Sequence, residues 1–267
     1  MAARRGYTAP MDDTALLELA ADLAQRAGEV ILAVRARGFE TLRKADRSPV
    51  TEADHAAEQL IVEGLRAATP SIPVIAEEEI EAGIAPEPGE EYWLVDPLDG
   101  TREFAALRDE FTVNIGLVRG HRPVLGAVGV PAHGELFGGM LGPPAVAWKQ
   151  TGSGRQPIAA RNPPPGGMHV LASRHYAGDP RLDSFLEGKK VSRVTNMGSA
   201  LKIVRLAEGE GDLYPRFGRT MEWDTAAPQA ILEAAGGRLC GMDGTALAYG
   251  KPGWANPPFL CTGCGHG

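Results

Sequence analysis

The stretch "WLVDPLDGTREF", residues 93–104, places two aspartates three positions apart at the end of an apolar run. Asp96 closes what reads as a buried strand, Pro97 fixes its own φ, and Asp99-Gly100 permits a sharp turn, so the two carboxylates can converge above the strand end. Two close carboxylates at neutral pH either share a proton or gather cations, and hard oxygen donors of this kind suit Mg²⁺. Read alone, the segment also fits a tight Asp-Gly turn beside a helix cap.

Two further acidic groups lie outward from it. Glu77-Glu78-Glu79 follows the apolar run "IPVIA", and "EWD" at 222–224 follows "YPRFGRT". Singly, each fits a solvated face or a helix cap, Glu78 and Glu79 especially. Asp224 reads as an N-cap for a helix beginning at Thr225, a role compatible with ligation through its other oxygen. Three acidic sites, each at the end of a structured segment, together favour a metal centre.

The surrounding pattern is mixed. Leu16, Leu19, Ala20, Leu23, Ala27, Val30, Ile31 and Val34 recur at helical spacing from Asp12 to about Arg37, with Asp12 or Asp13 available as N-cap. The polar loop "RKADRSPVTEAD" leads to a second helical pattern through Ala57, Leu60, Ile61 and Leu65, stopped at Thr69-Pro70. "IPVIA", "YWLVD", "FTVNIGLV", "PVLGAVGV" and "ELFGGM" read as strands, the last three joined by short turns like those of antiparallel ribbons. Residues 142–167 are rich in Gly, Pro and polar residues around one possible strand pair, which places a domain boundary near residue 145, between lobes 1–145 and 146–267. Beyond it "MHVLAS", "KVSRV" and "DLYPRF" read as strands, and "SALKIVRLAEGE" and "TAAPQAILEAAGG" as helices. The fold class is therefore a layered α/β or α+β arrangement.

Composition narrows the function classes. The 267 residues are 43% hydrophobic and 23% charged, which excludes general disorder. Lys plus Arg number 27 against 34 Asp plus Glu, a net charge of -7 with no long basic run, so a nucleic-acid polymer is not the expected partner. Bound cations can still invert the local field and admit an anionic small molecule. The odd number of cysteines, three, argues against a secreted disulfide framework and for a reducing cytoplasm. No apolar segment follows Arg4 and Arg5 and none reaches roughly 18 residues, so neither export nor an integral membrane segment is expected. The tail "CTGCGHG" offers Cys261, Cys264 and His266, one ligand short of a structural zinc set, and reads as a solvated tail with incidental thiols.

"DPLDGT", with "EEE" upstream and "WDTAA" downstream, resembles the inositol monophosphatase-like superfamily of Mg²⁺-dependent, lithium-sensitive phosphatases. "KADRSPVTEAD", "GTREF", "FTVNIGLV", "GSALK" and "LYPRFGRTMEWDTAA" resemble its 3'(2'),5'-bisphosphate nucleotidases of the CysQ type, from about residue 12 to about residue 260. The resemblance implies a two-lobed αβαβα sandwich that binds two or three Mg²⁺ ions and removes the 3'-phosphate of adenosine 3',5'-bisphosphate, in sulfur assimilation, as a monomer or homodimer. It implies Glu77, Asp96, the Leu98 carbonyl, Asp99 and Asp224 as metal ligands, with Thr101 and Asp46 orienting the attacking water. It implies Gly100, Thr101, His175, Ser199, Lys202 and Arg216 around the substrate, with Arg102 and Lys44 as weaker candidates. Otherwise Asp46 reads as an exposed loop residue, Lys202 as a surface helix lysine and Arg216 as a strand-edge charge. Pro228 departs from the family pattern and is expected in the first turn of its helix.

The alternatives within the superfamily are inositol monophosphate, fructose 1,6-bisphosphate or histidinol phosphate as substrate. Outside it stands a non-catalytic module that binds metal or phosphate.

Overall fold

A computed structural model describes residues 11–43 and 49–264. Helix α1 spans Asp13–Arg37, and the Asp12 carboxylate accepts from the Ala15 N–H at 2.8 Å, as an N-cap should. A two-stranded antiparallel ribbon, β1 (Thr41–Arg43) with β2 (Pro49–Thr51), delivers the chain to α2 (Glu52–Ala68). This helix begins inside the segment expected to be loop, because Thr51 and Asp54 form a reciprocal capping box that satisfies its first N–H groups.

Strand β3 (Val74–Ala76) runs into the short α3 (Glu77–Glu81), and β4 (Glu91–Asp99) into α4 (Thr101–Ala105). The meander β5 (Thr112–Arg119), β6 (Arg122–Val130), β7 (Glu135–Met140), β8 (Val146–Thr151) and β9 (Gly154–Pro157) completes a seven-stranded sheet in the order β3-β4-β5-β6-β7-β8-β9. β3 and β4 pair in parallel and the other neighbours are antiparallel. The strand pair of the Gly- and Pro-rich segment thus belongs to this first sheet, which continues past residue 145.

The chain then forms β10 (Met168–Ser173), α5 (Pro180–Leu186), β11 (Val191–Met197), α6 (Leu201–Ala207), β12 (Leu213–Arg216), β13 (Thr220–Met221), α7 (Glu222–Ala234), β14 (Arg238–Gly241), β15 (Ala255–Asn256) and β16 (Phe259–Thr262). A second sheet has the order β11-β10-β12-β16-β14, and β13 pairs with β15 beside α7.

Both faces of the first sheet are covered, so β4 reads as a continuous apolar run whose alternation is still meaningful. Trp93 and Val95 join Leu23, Ile31, Ile61 and Leu65 beneath α1 and α2. Tyr92 and Leu94 join Val204, Leu206, Ile231 and Phe259 in the core shared with α6, α7 and the second sheet. Helix α7 lies very close to the first sheet: a Cβ on Gly126 would stand 2.5 Å from the Ala227 Cα, and one on Gly139 2.5 Å from the Ile231 Cα. These glycines seat the helix that carries Asp224. At the far end of α6, Lys149 bridges Glu135 (2.7 Å) and Glu208 (2.8 Å) while Arg205 meets Glu135 at 2.6 Å, pinning α6 to β7 and β8. Among the described residues no helix is long and apolar enough to cross a membrane.

Candidate active site

The C-terminal end of β4 is irregular where it matters. Asp96 is 2% exposed and its Oδ1 accepts from the Leu98 N–H at 3.0 Å. Pairing with β5 slips between Asp96, opposite Asn114, and Asp99, opposite Thr112, a bulge that re-aims the second aspartate. Gly100 follows with φ 98°, and a Cβ there would sit 2.9 Å from the Glu110 carbonyl oxygen, so conformation and space both require glycine.

Thr101 opens α4 next to a residue that sequence reasoning missed. Its hydroxyl oxygen lies 3.0 Å from Asp54 Oδ1 and 3.1 Å from the Leu98 carbonyl, and the carboxylate is the stronger acceptor for its single hydrogen. Asp54 is 1% exposed, and its Oδ2 accepts from the Thr51 N–H (2.7 Å) and hydroxyl (2.8 Å). The available signal was the spacing of "TEAD", Thr51 and Asp54, the pattern of a capping box. Asp46 and Lys44 lie outside the described residues.

Glu77 is the first residue of α3, partly buried. The next two residues are not the solvated face expected of them. Glu78 is 7% exposed, and Glu79 is held by Arg66 through two bonds of 2.8 and 2.7 Å. Their N–H groups donate to the two oxygens of Glu58, at 2.8 and 2.9 Å. Burial pushes the Glu58 carboxyl up to about 7, against the pull of those bonds.

The opposite wall comes from the second half of the chain. Asp224 is the third residue of α7, and its Oδ2 accepts from the Met221 N–H at 2.9 Å. The helix thus starts three residues before Thr225, Asp224 caps it from inside, and Pro228 falls in the interior rather than in the first turn. Burial, then repulsion from Asp99, pushes Asp224 up to about 7, opposed by the Met221 N–H, Arg216 and a hydrogen bond with Asp96. Asp99 is raised as well, chiefly by burial, and drawn back by Lys202, Arg216 and the Ala200 N–H that it accepts at 2.5 Å.

Lys202 is no surface lysine. At 2% exposed, it faces inward from α6 and donates to the carbonyls of Ser199 (2.5 Å) and Met197 (3.2 Å). Burial, reinforced by Arg216, pushes its ammonium down to about 8 despite Asp99, Glu103 and Glu110. Ser199 takes φ 49°, a left-handed turn that brings its carbonyl to Lys202. Arg216 ends β12, an inner strand of the second sheet, and donates to the Ser173 hydroxyl (3.0 Å) and the carbonyls of Gly218 (3.2 Å) and Arg219 (3.0 Å). His175 Nε2 stands 3.0 Å from Glu103 Oε1. Arg174 pairs with Glu110, which also accepts from the Gly198 N–H at 2.9 Å, so three separate segments meet at one carboxylate. Arg102 is exposed.

The donor set suits a hard cation. Asp96, Asp99 and Asp224 each commit an oxygen to a backbone N–H, of Leu98, Ala200 and Met221 respectively. Desolvation raises the titration of the partly buried Asp99 and Asp224, and Lys202 and Arg216 draw Asp99 back while Arg216 draws back Asp224. No group of three or more His, Cys, Asp or Glu among the described residues is already gathered at ligating distance. The thiols, by contrast, belong to the interior. Cys261 is buried in β16, and Cys264 Sγ lies 3.2 Å from the Ala160 carbonyl and 3.1 Å from that of Gly236, so the segment through Cys264 is not a solvated tail. His266 lies outside the described residues.

Layered sheets and helices that bring oxygen donors to a strand end and two helix starts describe a metal-dependent phosphatase class. The chain belongs to the inositol monophosphatase family, whose model matches residues 12–260. It is 42% identical over 250 residues to the 3'(2'),5'-bisphosphate nucleotidase CysQ of Salmonella typhimurium, covering 92% of this chain and 99% of that one. To the nucleotidase CysQ of Escherichia coli K12 it is 39% identical, covering 91% and 98%. Among solved structures, CysQ from Bacteroides thetaiotaomicron, a bacterial member of the family, superposes with a TM-score of 0.77 at 32% identity, over 93% of this chain and 97% of that one. An inositol monophosphatase from Zymomonas mobilis gives the same TM-score at 26% identity, over 96% of each chain.

Proposed function

We propose that the protein is a Mg²⁺-dependent 3'(2'),5'-bisphosphate nucleotidase that converts adenosine 3',5'-bisphosphate to AMP and inorganic phosphate, with 3'-phosphoadenylyl sulfate as a second candidate substrate. The observation that carries the reading is 39–42% identity, over nine-tenths of both chains, to enzymes of that name. Glu77, Asp96, the Leu98 carbonyl, Asp99 and Asp224 would hold two or three Mg²⁺ ions. Held there, such ions would supply the chemistry of lowering the pKa of water and neutralising charge on the transferring phosphate.

The side chains supply the rest. Thr101 donates to Asp54, which leaves a hydroxyl lone pair to receive an O–H of the attacking water. The water oxygen bonds to phosphorus while the P–O3' bond breaks. Its proton passes by way of Thr101 towards Asp54, and the leaving 3'-oxygen is protonated from solvent. Gly100 allows the backbone at the end of β4 to approach the scissile phosphate closely. Lys202 acts from beneath the Gly198–Ser199 turn, and with Ser199, Arg216 and His175 balances the second phosphate and positions the nucleoside. We assign the enzyme to the cytoplasm, in keeping with its three cysteines, an odd number that does not suggest a secreted disulfide framework.

The test compares phosphate release from adenosine 3',5'-bisphosphate, inositol 1-phosphate and fructose 1,6-bisphosphate with Mg²⁺. The nucleotide should lead in kcat/KM by about a hundredfold or more, about 2.7 kcal/mol of transition-state discrimination. A lead for inositol or fructose phosphate would overturn the substrate while keeping the metal chemistry.

A further inference from the structure

Helix α2 places two buried carboxylates one turn apart on the same face, Asp54 at 1% and Glu58 at 6% exposure. Asp54 serves Thr101. Glu58 serves α3, accepting from the N–H of Glu78 with Oε2 and of Glu79 with Oε1. Helix α3 receives no side-chain cap from Ala76, the residue that precedes it. The first N–H groups of a helix have no partner inside it, and burial makes their neglect costly. Glu58 supplies from a neighbouring helix what a local Ser or Asp would supply elsewhere. Arg66, two turns further along α2, grips Glu79 from the solvent side. The opening turn of α3 is therefore held by two residues of one helix, and Glu77 is the residue adjoining that grip.

We propose that Glu58 is a positioning residue for the metal centre: by binding both N–H groups that follow Glu77, it fixes the direction in which the Glu77 carboxylate is offered to the cation. The inference rests on the reading of Glu77 as a ligand given above. The residue type supports it. Two N–H groups side by side need two acceptor oxygens on one side chain, which Glu and Asp have and Gln, Asn, Ser and Thr do not. The choice crowds carboxylates, because Glu58 joins Glu77, Glu78 and Glu79, of which Arg66 pairs with Glu79. A bound divalent cation would offset such crowding, and a carboxylate beside the first N–H groups of a helix is itself favoured by the helix dipole. One helix thereby sets both Thr101, through Asp54, and Glu77, through Glu58, in a common frame.

The test is a calorimetric Mg²⁺ titration of metal-free full-length Glu58→Gln, beside the Mg²⁺ dependence of its phosphate release. Gln presents one acceptor and one NH₂ group, so one of the two N–H bonds is lost. The Mg²⁺ dissociation constant should rise about tenfold or more, with kcat at saturating metal and substrate KM near the wild-type values, since residues that orient metal ligands typically cost 10–100-fold in affinity. Mg²⁺ affinity within about twofold of wild type, with only a lower melting temperature, would overturn the proposal. If Glu58→Gln does not fold, Arg66→Ala is read instead, its site being half exposed. A weakening of about threefold or more in Mg²⁺ binding supports the grip on α3, and unchanged binding overturns it. A wild-type protein that neither binds Mg²⁺ nor releases phosphate would remove the underlying reading, a result distinct from any effect of Glu58.

Discussion

On the α2 side of the site each buried carboxylate oxygen meets a named donor: Asp54 takes Thr51 and Thr101, and Glu58 takes Glu78 and Glu79. On the α6–β12 side, Asp99 raises the titration of Asp224, burial and Glu103 raise that of Asp99, and Arg216 depresses that of Lys202. The first wall is complete as protein. The second is a set of partly buried charges that, on the proposed function, cations would balance at the aspartates and phosphate at Lys202 and Arg216. The contrast separates two uses of a buried carboxylate. A scaffold carboxylate is recognised by the donors it has, and a ligand carboxylate by the neutralisation it lacks.

The largest expected effect breaks the frustrated wall. Asp99→Asn should lower Mg²⁺-dependent phosphate release by more than about a hundredfold, because even residues that only orient metal ligands cost up to that much. The same substitution should raise the melting temperature of the metal-free protein, since it removes repulsion from Asp224. A destabilised metal-free Asn variant would erase the distinction between the walls.

Next, Thr101→Val strikes the scaffold wall. It should cut kcat by about 10²–10³ with little change in KM, as expected for loss of a proton-handling group, and remove one hydrogen bond to Asp54 at about 1 kcal/mol in stability. Here activity and stability should fall together, as measured by steady-state kinetics and thermal unfolding.

Lys202→Ala should be milder and substrate-selective. Its kcat/KM for the bisphosphate nucleotide should fall about tenfold or more, about 1.4 kcal/mol, while a generic phosphomonoester loses less. Equal losses on both substrates would reassign Lys202 to support of the Ser199 turn alone.

A pH dependence of stability sharpens the contrast without any substitution. Asp224, ordinarily near 3.8, is pushed up to about 7 in the folded metal-free chain. Between those values the folded protein keeps a proton that the unfolded chain has released, so stability should fall as pH rises from about 4 to about 7 and stay low above it. Added Mg²⁺ should then raise the melting temperature more at pH 8 than at pH 5.

Much of this was legible in the chain. The long first helix with its Asp12 cap, the apolar strands ending in acid, and "DPLDGT" are local patterns, and local patterns survive folding. The misreadings share a different character. The helix of Asp224 starts at Glu222 because Asp224 reaches back to Met221, which moves Pro228 into its interior. Cys261 looked terminal and solvated, yet strand pairing with β12 and β14 buries it. Lys202 read as a surface residue because no turn of sequence reveals that α6 is covered by both sheets.

What the sequence determined by itself is the inventory: three acidic segments at element ends, the layered alternation of strands and helices, and the family. What only the tertiary structure decided is which carboxylate does what. Asp54 meets Thr101 across 47 residues and Glu58 meets the start of α3 across 20, and neither encounter leaves a periodic trace in the chain. The physical reason is that a carboxylate's role depends on the donors and charges that surround it, and in this fold those are brought from other elements.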